Sequence, residues 1–173
     1  MRYADGPEVA GEIQIDASPA TVWALVTDIG LSARFSPELQ RVAWLDGADA
    51  PVIGARFEGH NRNEHNGDWR TVSEVVELEP ERSYAWAVID AAERFGPLDP
   101  QRPMATWRFD LTPVDGGTRL RHSGRIGPGR SGLLVAIEQA PEREEAIMEY
   151  RTGTLRQGIE ATLEGVRKLA EGE

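Results

Sequence analysis

Three histidines are the residues of this chain best suited to acid–base or metal chemistry, because an unperturbed imidazole titrates near ~6.5. Two of them, His60 and His65, fall in GHNRNEHNGDW beside Glu64. A zinc ion needs three or four ligands converging tetrahedrally. In an extended strand His60 and His65 have opposite parity, and Glu64 sits roughly 13 Å along the strand from His60 at about 3.3 Å per residue. No third partner is evident, so no metal is expected there. Asn66-Gly67 instead marks the tip of a hairpin, with His60 outward and His65 beside the turn. The third histidine, His122, alternates with Leu120 and Ile126 and so belongs to an apolar face. It is the candidate base or hydrogen-bonding group. The alternative is a buried histidine bonded to a backbone carbonyl or to Tyr84. A fourth motif, GPGRSG at 127–132, spells the dinucleotide-binding glycine pattern. That reading also needs a second parallel strand after the following helix. None is predicted, so the glycines read as a strand-to-helix corner and no cofactor is expected.

The elements that would position these residues follow from periodicity. EVAGEIQI reads as a strand. Ser18 and Pro19 are suited to cap and open a helix, with Val22, Leu25, Val26 and Ile29 on one side and Gly30 as its stop. A second short helix is expected over LSARFSPE. Six strands follow: QRVAWLDG, GARFEGHNRN, DWRTVSEVVELEP, RSYAWAVID, MATWRFDLTPV and TRLRHSGRIG. A proline-containing loop at 91–103 separates the fourth from the fifth and is long enough to serve as a lid. A short helix over GLLVAIEQA ends before Pro141. A long amphipathic helix from Glu142 to Glu171 then carries Met148, Thr152, Leu155, Ile159, Thr162, Val166 and Leu169 at steps of four and three. The class is α+β: a curved antiparallel sheet of about seven strands, one face solvated and the other covered by the C-terminal helix.

Alternation also assigns faces. With Asn66 and Gly67 as a two-residue turn, Phe57 would oppose Val76, Ala55 would oppose Leu78, and Asn61 would point inward. Arg56 would meet Glu77 on the solvent side, and Glu74 would fall on the inward face as a buried acid or as the mark of a register slip. In the last hairpin Trp107, Phe109 and Leu111 share a face with Leu120, His122, Gly124 and Ile126. Tyr84, Trp86 and Val88 share the bulky face of their strand. The expected cavity lining is therefore Phe57, Asn61, Tyr84, Trp86, Trp107 and Phe109 from the sheet. Leu120 and His122 join them from the last strand, and Met148, Thr152, Leu155 and Ile159 from the long helix. Few polar groups among many apolar ones is the usual makeup of a small-molecule site. The same residues could equally fill a solid core.

Composition narrows the partners. The 173 residues suffice for one domain spanning 1–173, with 40% apolar and 28% charged side chains. A net charge of -10 repels phosphate backbones and anionic lipid, so no nucleic acid is expected. There is no cysteine, which removes disulfides and thiolate chemistry. No segment is apolar enough for membrane insertion, and a cytoplasmic protein is the expectation. A homodimer stays open.

Taken together, SPATVWALVTDI, GARFEGHNR, EVVELEPERSYAWAV, TWRFDLTPVDGGTRLRHSG and GTLRQGIEATLEGVRKLAEG resemble the polyketide cyclase/dehydrase-like group of the START/Bet v 1-like (SRPBCC, helix-grip) superfamily. The resemblance runs from about Glu8 to Glu171 in element order and short phrases rather than in one catalytic signature. It implies a helix-grip fold, with the sheet wrapped around the long helix and two short helices after the first strand. It also implies a hydrophobic ligand, a lipid or an aromatic polyketide, between sheet and helix. Two readings follow, with binding or carriage first. The other is a cyclase/dehydratase in which His122 would be the base and Tyr84 or Arg151 the oxyanion donor. For Arg151 the match to a ketone-polarising arginine is loose, and a solvated helix flank is the alternative. A protein-interaction domain on the same fold is a third reading.

Overall fold

Alternating apolar residues put Val9 and Ile15 into the interior and make Glu8–Ile15 the first strand, β1. This computed structural model describes residues 1–64, 67–99 and 101–173. Ser18 accepts a hydrogen bond from the Thr21 amide at 3.2 Å, and Pro19 opens α1 (Pro19–Val26) as the capping rule requires. The helix ends at Val26, earlier than Gly30. The Thr27 hydroxyl donates back to the Trp23 carbonyl at 2.7 Å, and the Gly30 amide turns onto the Asp28 carboxylate at 2.9 Å. Ile29 therefore lies outside the helix. A short 3-10 turn at Ser32–Arg34 follows.

The remaining strands are β2 (Leu39–Trp44), β3 (Arg56–Asn63), β4 (Gly67–Glu79), β5 (Ser83–Ile89), β6 (Ala105–Val114) and β7 (Gly117–Ile126). They form one seven-stranded sheet in the order β1-β7-β6-β5-β4-β3-β2, antiparallel throughout. α2 (Gly132–Gln139) breaks before Pro141, and α3 (Glu144–Glu171) follows. α3 buries Met148, Leu155, Ile159, Leu163 and Val166 and packs chiefly along β1, with α1 beside it. No helix among the described residues is long and apolar enough to cross a membrane.

One register departs from expectation. β3 and β4 pair as Phe57 with Ser73, Asn61 with Trp69 and Asn63 with Gly67, three residues away from the two-residue-turn register. An odd slip exchanges the faces of a strand. Phe57 therefore does not oppose Val76, and Glu74 is not a buried acid. Glu74 lies outward and receives Arg56 at 2.9 Å, the pairing expected of Glu77. His65 and Asn66, on which the turn reading rested, lie outside the described residues. A bulge between Val75 and Glu77 leaves Val76 exposed and returns Leu78 to the inner face opposite Tyr84.

The segment 31–38 runs along α3. The Phe35 ring occupies the notch left by Gly165, where any Cβ would collide with it, and Pro37 lies over Gly158.

Candidate functional site

Three strands build the central wall. Register places Trp86 beside Trp107 and Trp107 beside Gly124; one step along, Tyr84 sits beside Phe109 and Phe109 beside His122. Gly124 has a packing reason. A Cβ there would stand 2.8 Å from the Trp107 ring, so only glycine lets the indole lie across β7 and reach His122. The rings then stack. His122 is 4.0 Å from Phe109 at 13°, 5.3 Å from Trp107 at 27° and 6.3 Å from Trp86 at 28°.

His122 is 4% exposed. Its Nδ1 lies 3.0 Å from the Arg108 carbonyl, which can only accept, so Nδ1 carries the proton and Nε2 the lone pair. Burial pushes its pKa down to about 4, and nearby Arg121 adds to this against the opposing carbonyl hydrogen bond. At neutral pH the ring is an uncharged acceptor. Of the two sequence-level alternatives for its hydrogen bond, the backbone carbonyl is the partner. Tyr84 is 2% exposed and its buried hydroxyl has no hydrogen-bond partner among the described residues. Burial alone raises its pKa, so it stays a neutral phenol.

Opposite this wall, Trp44 meets Phe57 edge-on at 5.6 Å, and Phe57 in turn lies 6.3 Å from Trp86. Asn61 points inward as expected, with its amide 3.4 Å from the Thr71 hydroxyl and from the Gly59 carbonyl. The slipped register adds Trp69, Thr71 and Ser73 to the inner face, and Trp44 joins through its pairing with Phe57; none of the four was assigned there from sequence. A signal existed for the first three. Asp68, Arg70 and Glu74 share one parity of β4, and three charges on one parity mark the solvent side. On α3, Met148, Leu155 and Ile159 face the sheet, while the Thr152 hydroxyl is spent on the Met148 carbonyl at 2.8 Å. Leu120 is fully buried.

Arg151 does not stand free. Its Nη1 donates to both Glu38 carboxylate oxygens, at 3.0 and 3.2 Å, and Glu38 also accepts from Asn63 at 2.9 Å. This ties α3 to the start of β2 and the end of β3. His60 lies on the convex face with Nε2 3.2 Å from both Glu58 and Arg41. The 127–132 glycine segment turns from β7 into α2, with only helices after it.

Burial divides the inner face. Asn61, Trp69, Trp86, Val88 and Trp107 remain partly exposed, whereas Phe57, Ser73, Val75, Tyr84, Phe109, Leu111 and Leu120 are buried. Two hollows lie at the rim rather than the centre. One, of about 670 Å³, lies between the N-terminal half of α3 and the residues Pro37, Glu38 and Asn63. The other, of about 360 Å³, separates the 91–103 loop from the β7–α2 corner.

Residues 7–171 match the family model described as polyketide cyclase/dehydrase and lipid transport. Among solved structures, the chain is 28% identical to the Polyketide_cyc-like protein Cgl2372 from Corynebacterium glutamicum, with a TM-score of 0.64 over 95% of this chain and 91% of that one. It also superposes on the di-domain ARO/CYC proteins BexL, of the BE-7585A biosynthetic pathway, and StfQ, of the steffimycin pathway. For BexL the identity is 18% and the TM-score 0.69, over 96% of this chain and 50% of that one. For StfQ they are 15% and 0.68, over 95% and 51%. At those identities the likeness is one of fold. No curated protein matches.

Proposed function

Since this chain belongs to the polyketide cyclase/dehydrase and lipid-transport family, we propose that it binds or carries a hydrophobic small molecule between the inner face of its sheet and α3. The observation that carries this reading is the pair Trp86 and Trp107. Both are inward-facing indoles, both remain partly exposed, and both flank the buried uncharged His122. Exposed aromatic surface at the open end of an apolar interior gains by being covered, at roughly 25 cal/mol per Å². The fully buried residues, Tyr84, Phe109, Leu120, Met148 and Ile159, form the floor, and Phe57, Asn61, Thr152 and Leu155 the sides. The family match over 7–171 supports treating this span as one ligand-binding unit.

A cyclase/dehydratase activity with His122 as base is the second reading, and its support is the Nε2 lone pair. A pKa of about 4 makes that nitrogen a weak base at neutral pH, which favours binding over proton abstraction. Arg151 has its Nη1 committed to the Glu38 carboxylate, so its charge is already paired within the chain.

Native mass spectrometry of protein purified under gentle conditions tests the proposal. The expected result is a discrete non-covalent adduct, lost after organic extraction and lost again in Trp107→Glu. A bare chain that also fails to take up any of a panel of apolar aromatic and acyl compounds would refute it.

A further inference from the structure

We propose that the hollow between the 91–103 loop and the β7–α2 corner is a second ligand site, separate from the inner face, that takes a neutral amide carried on a small apolar body. Its volume of about 360 Å³ falls at the lower end for small-molecule sites. It shares no residue with the wall of Tyr84, Trp86, Trp107 and His122. Phe95, Leu98, Met104 and Leu134 give it apolar surface. Bonds within the chain hold both sides in place. The Phe95 amide donates to Asp90 Oδ2 at 2.7 Å, and Arg102 Nη2 donates to the Pro128 carbonyl at 3.2 Å. The Gly129 amide donates to the Pro103 carbonyl at 2.8 Å. A Cβ on Gly129 would stand 2.0 Å from the Arg102 carbonyl oxygen, so glycine at this position of the 127–132 motif is what lets corner and loop meet.

Asp90, which lines this hollow, sets the first polar requirement. Its Oδ1 is buried and has no hydrogen-bond partner among the described residues. Arg94 Nε lies 3.5 Å away, near enough to balance the charge but without a hydrogen bond. A buried acceptor left unmet is costly, and the exception asks for a donor from outside the chain. Arg102 sets the second requirement. One of its guanidinium donors goes to Pro128, and the others have no hydrogen-bond partner among the described residues, so they can hold a ligand oxygen. Charge sets the third. On the lining Asp90 and Asp99 balance Arg102 and Arg130, and Arg130 is itself paired with Glu138, so a charged ligand would upset the balance. An amide meets all three conditions: its N–H serves Asp90, its carbonyl serves Arg102, and it brings no charge. An ester lacks the donor. A carboxylate lacks it too and adds a negative charge, while an ammonium lacks the acceptor.

The test uses four compounds of one size: hydrocinnamamide, methyl hydrocinnamate, the hydrocinnamate anion and phenylpropylammonium. Each is titrated into the full chain at neutral pH and followed by backbone amide chemical shifts. Shifts are expected at 95–98 and 129–134, and there the amide should bind about tenfold tighter than the ester and tighter than either ion. In Asp90→Asn the side chain keeps its shape and an acceptor for the Phe95 amide but turns a donor where Oδ1 stood. The amide-over-ester advantage should then fall below about twofold. Arg102→Met, at an exposed position, keeps the test open if Asp90→Asn fails to fold; it should weaken amide and ester alike by about fivefold. The site is refuted if no compound shifts 95–98 and 129–134. An ester as tight as the amide there, an advantage that survives Asp90→Asn, or binding untouched by Arg102→Met would each overturn it as well. Shifts of the Trp107 indole N–H report the inner face separately, so this site and the proposed binding between sheet and α3 stand or fall independently.

Discussion

The two faces of this sheet are made by the same strands and carry opposite chemistry. On the convex side, Glu77 of β4 reaches over the small Ala85 of β5 to Arg108 at 2.9 Å. Arg108 meets Asp110 at 2.7 Å, and Asp110 lies 3.8 Å from Arg121, which bonds Glu8 on β1. On the concave side, the residues alternating with these are Tyr84, Trp86, Trp107, Phe109, Leu120 and His122, without one formal charge. Arg108 belongs to both systems. Its guanidinium anchors the outer chain of ions while its carbonyl accepts the hydrogen bond donated by His122 Nδ1. The comparison teaches where stability resides. Half-exposed ion pairs contribute little because water competes for them, whereas Tyr84, Phe109, Leu120 and His122 are withdrawn from water and packed.

Three measurements can break or sharpen that contrast. The largest effect is expected from Leu120→Ala, at a position with 0% exposure. Urea unfolding should show a loss of about 2–5 kcal/mol with unchanged denaturant slope. A pH series comes next. Unfolded His122 titrates near its ordinary 6.5 and folded His122 near 4, so between these values only the unfolded chain takes up the proton. Stability should be level above pH ~6.5 and fall toward pH 4 by up to about 3 kcal/mol, a slope missing in His122→Gln. Outer carboxylates act in a more acid window. Glu77, lowered first by Arg108 and then by Ser83, keeps its contribution above the ordinary carboxylate range and loses it below. The smallest effect is expected from Arg108→Ala, about 1 kcal/mol or less in the same unfolding assay. A cost there exceeding that of Leu120→Ala would reverse the comparison.

The inner face was legible in the sequence where a hairpin is closed by an unambiguous turn. Asp115-Gly116 closes β6 on β7, Val114 pairs with Gly117, and every expected neighbour of His122 follows. The β3–β4 hairpin was legible only as a hairpin. Asn66-Gly67 favours a two-residue turn, and the observed register, with Asn63 opposite Gly67, moves Glu74 to the outside and Trp69, Thr71 and Ser73 to the inside. Local turn preference is weaker than the joint requirement that Asp68, Arg70 and Glu74 reach water. The tie between Arg151 and Glu38 had no sequence signal, because 113 residues separate partners brought together only by the fold. The state of His122 was likewise open in the sequence, where periodicity shows a face but not the carbonyl that fixes a tautomer.

The crowding of indoles on one face has an optical consequence. Four of the five tryptophans, Trp44, Trp69, Trp86 and Trp107, point inward; the fifth, Trp23, lies on α1. Intrinsic emission of this protein therefore reports almost wholly on the space between sheet and helix, and the chain carries its own label for whatever enters there.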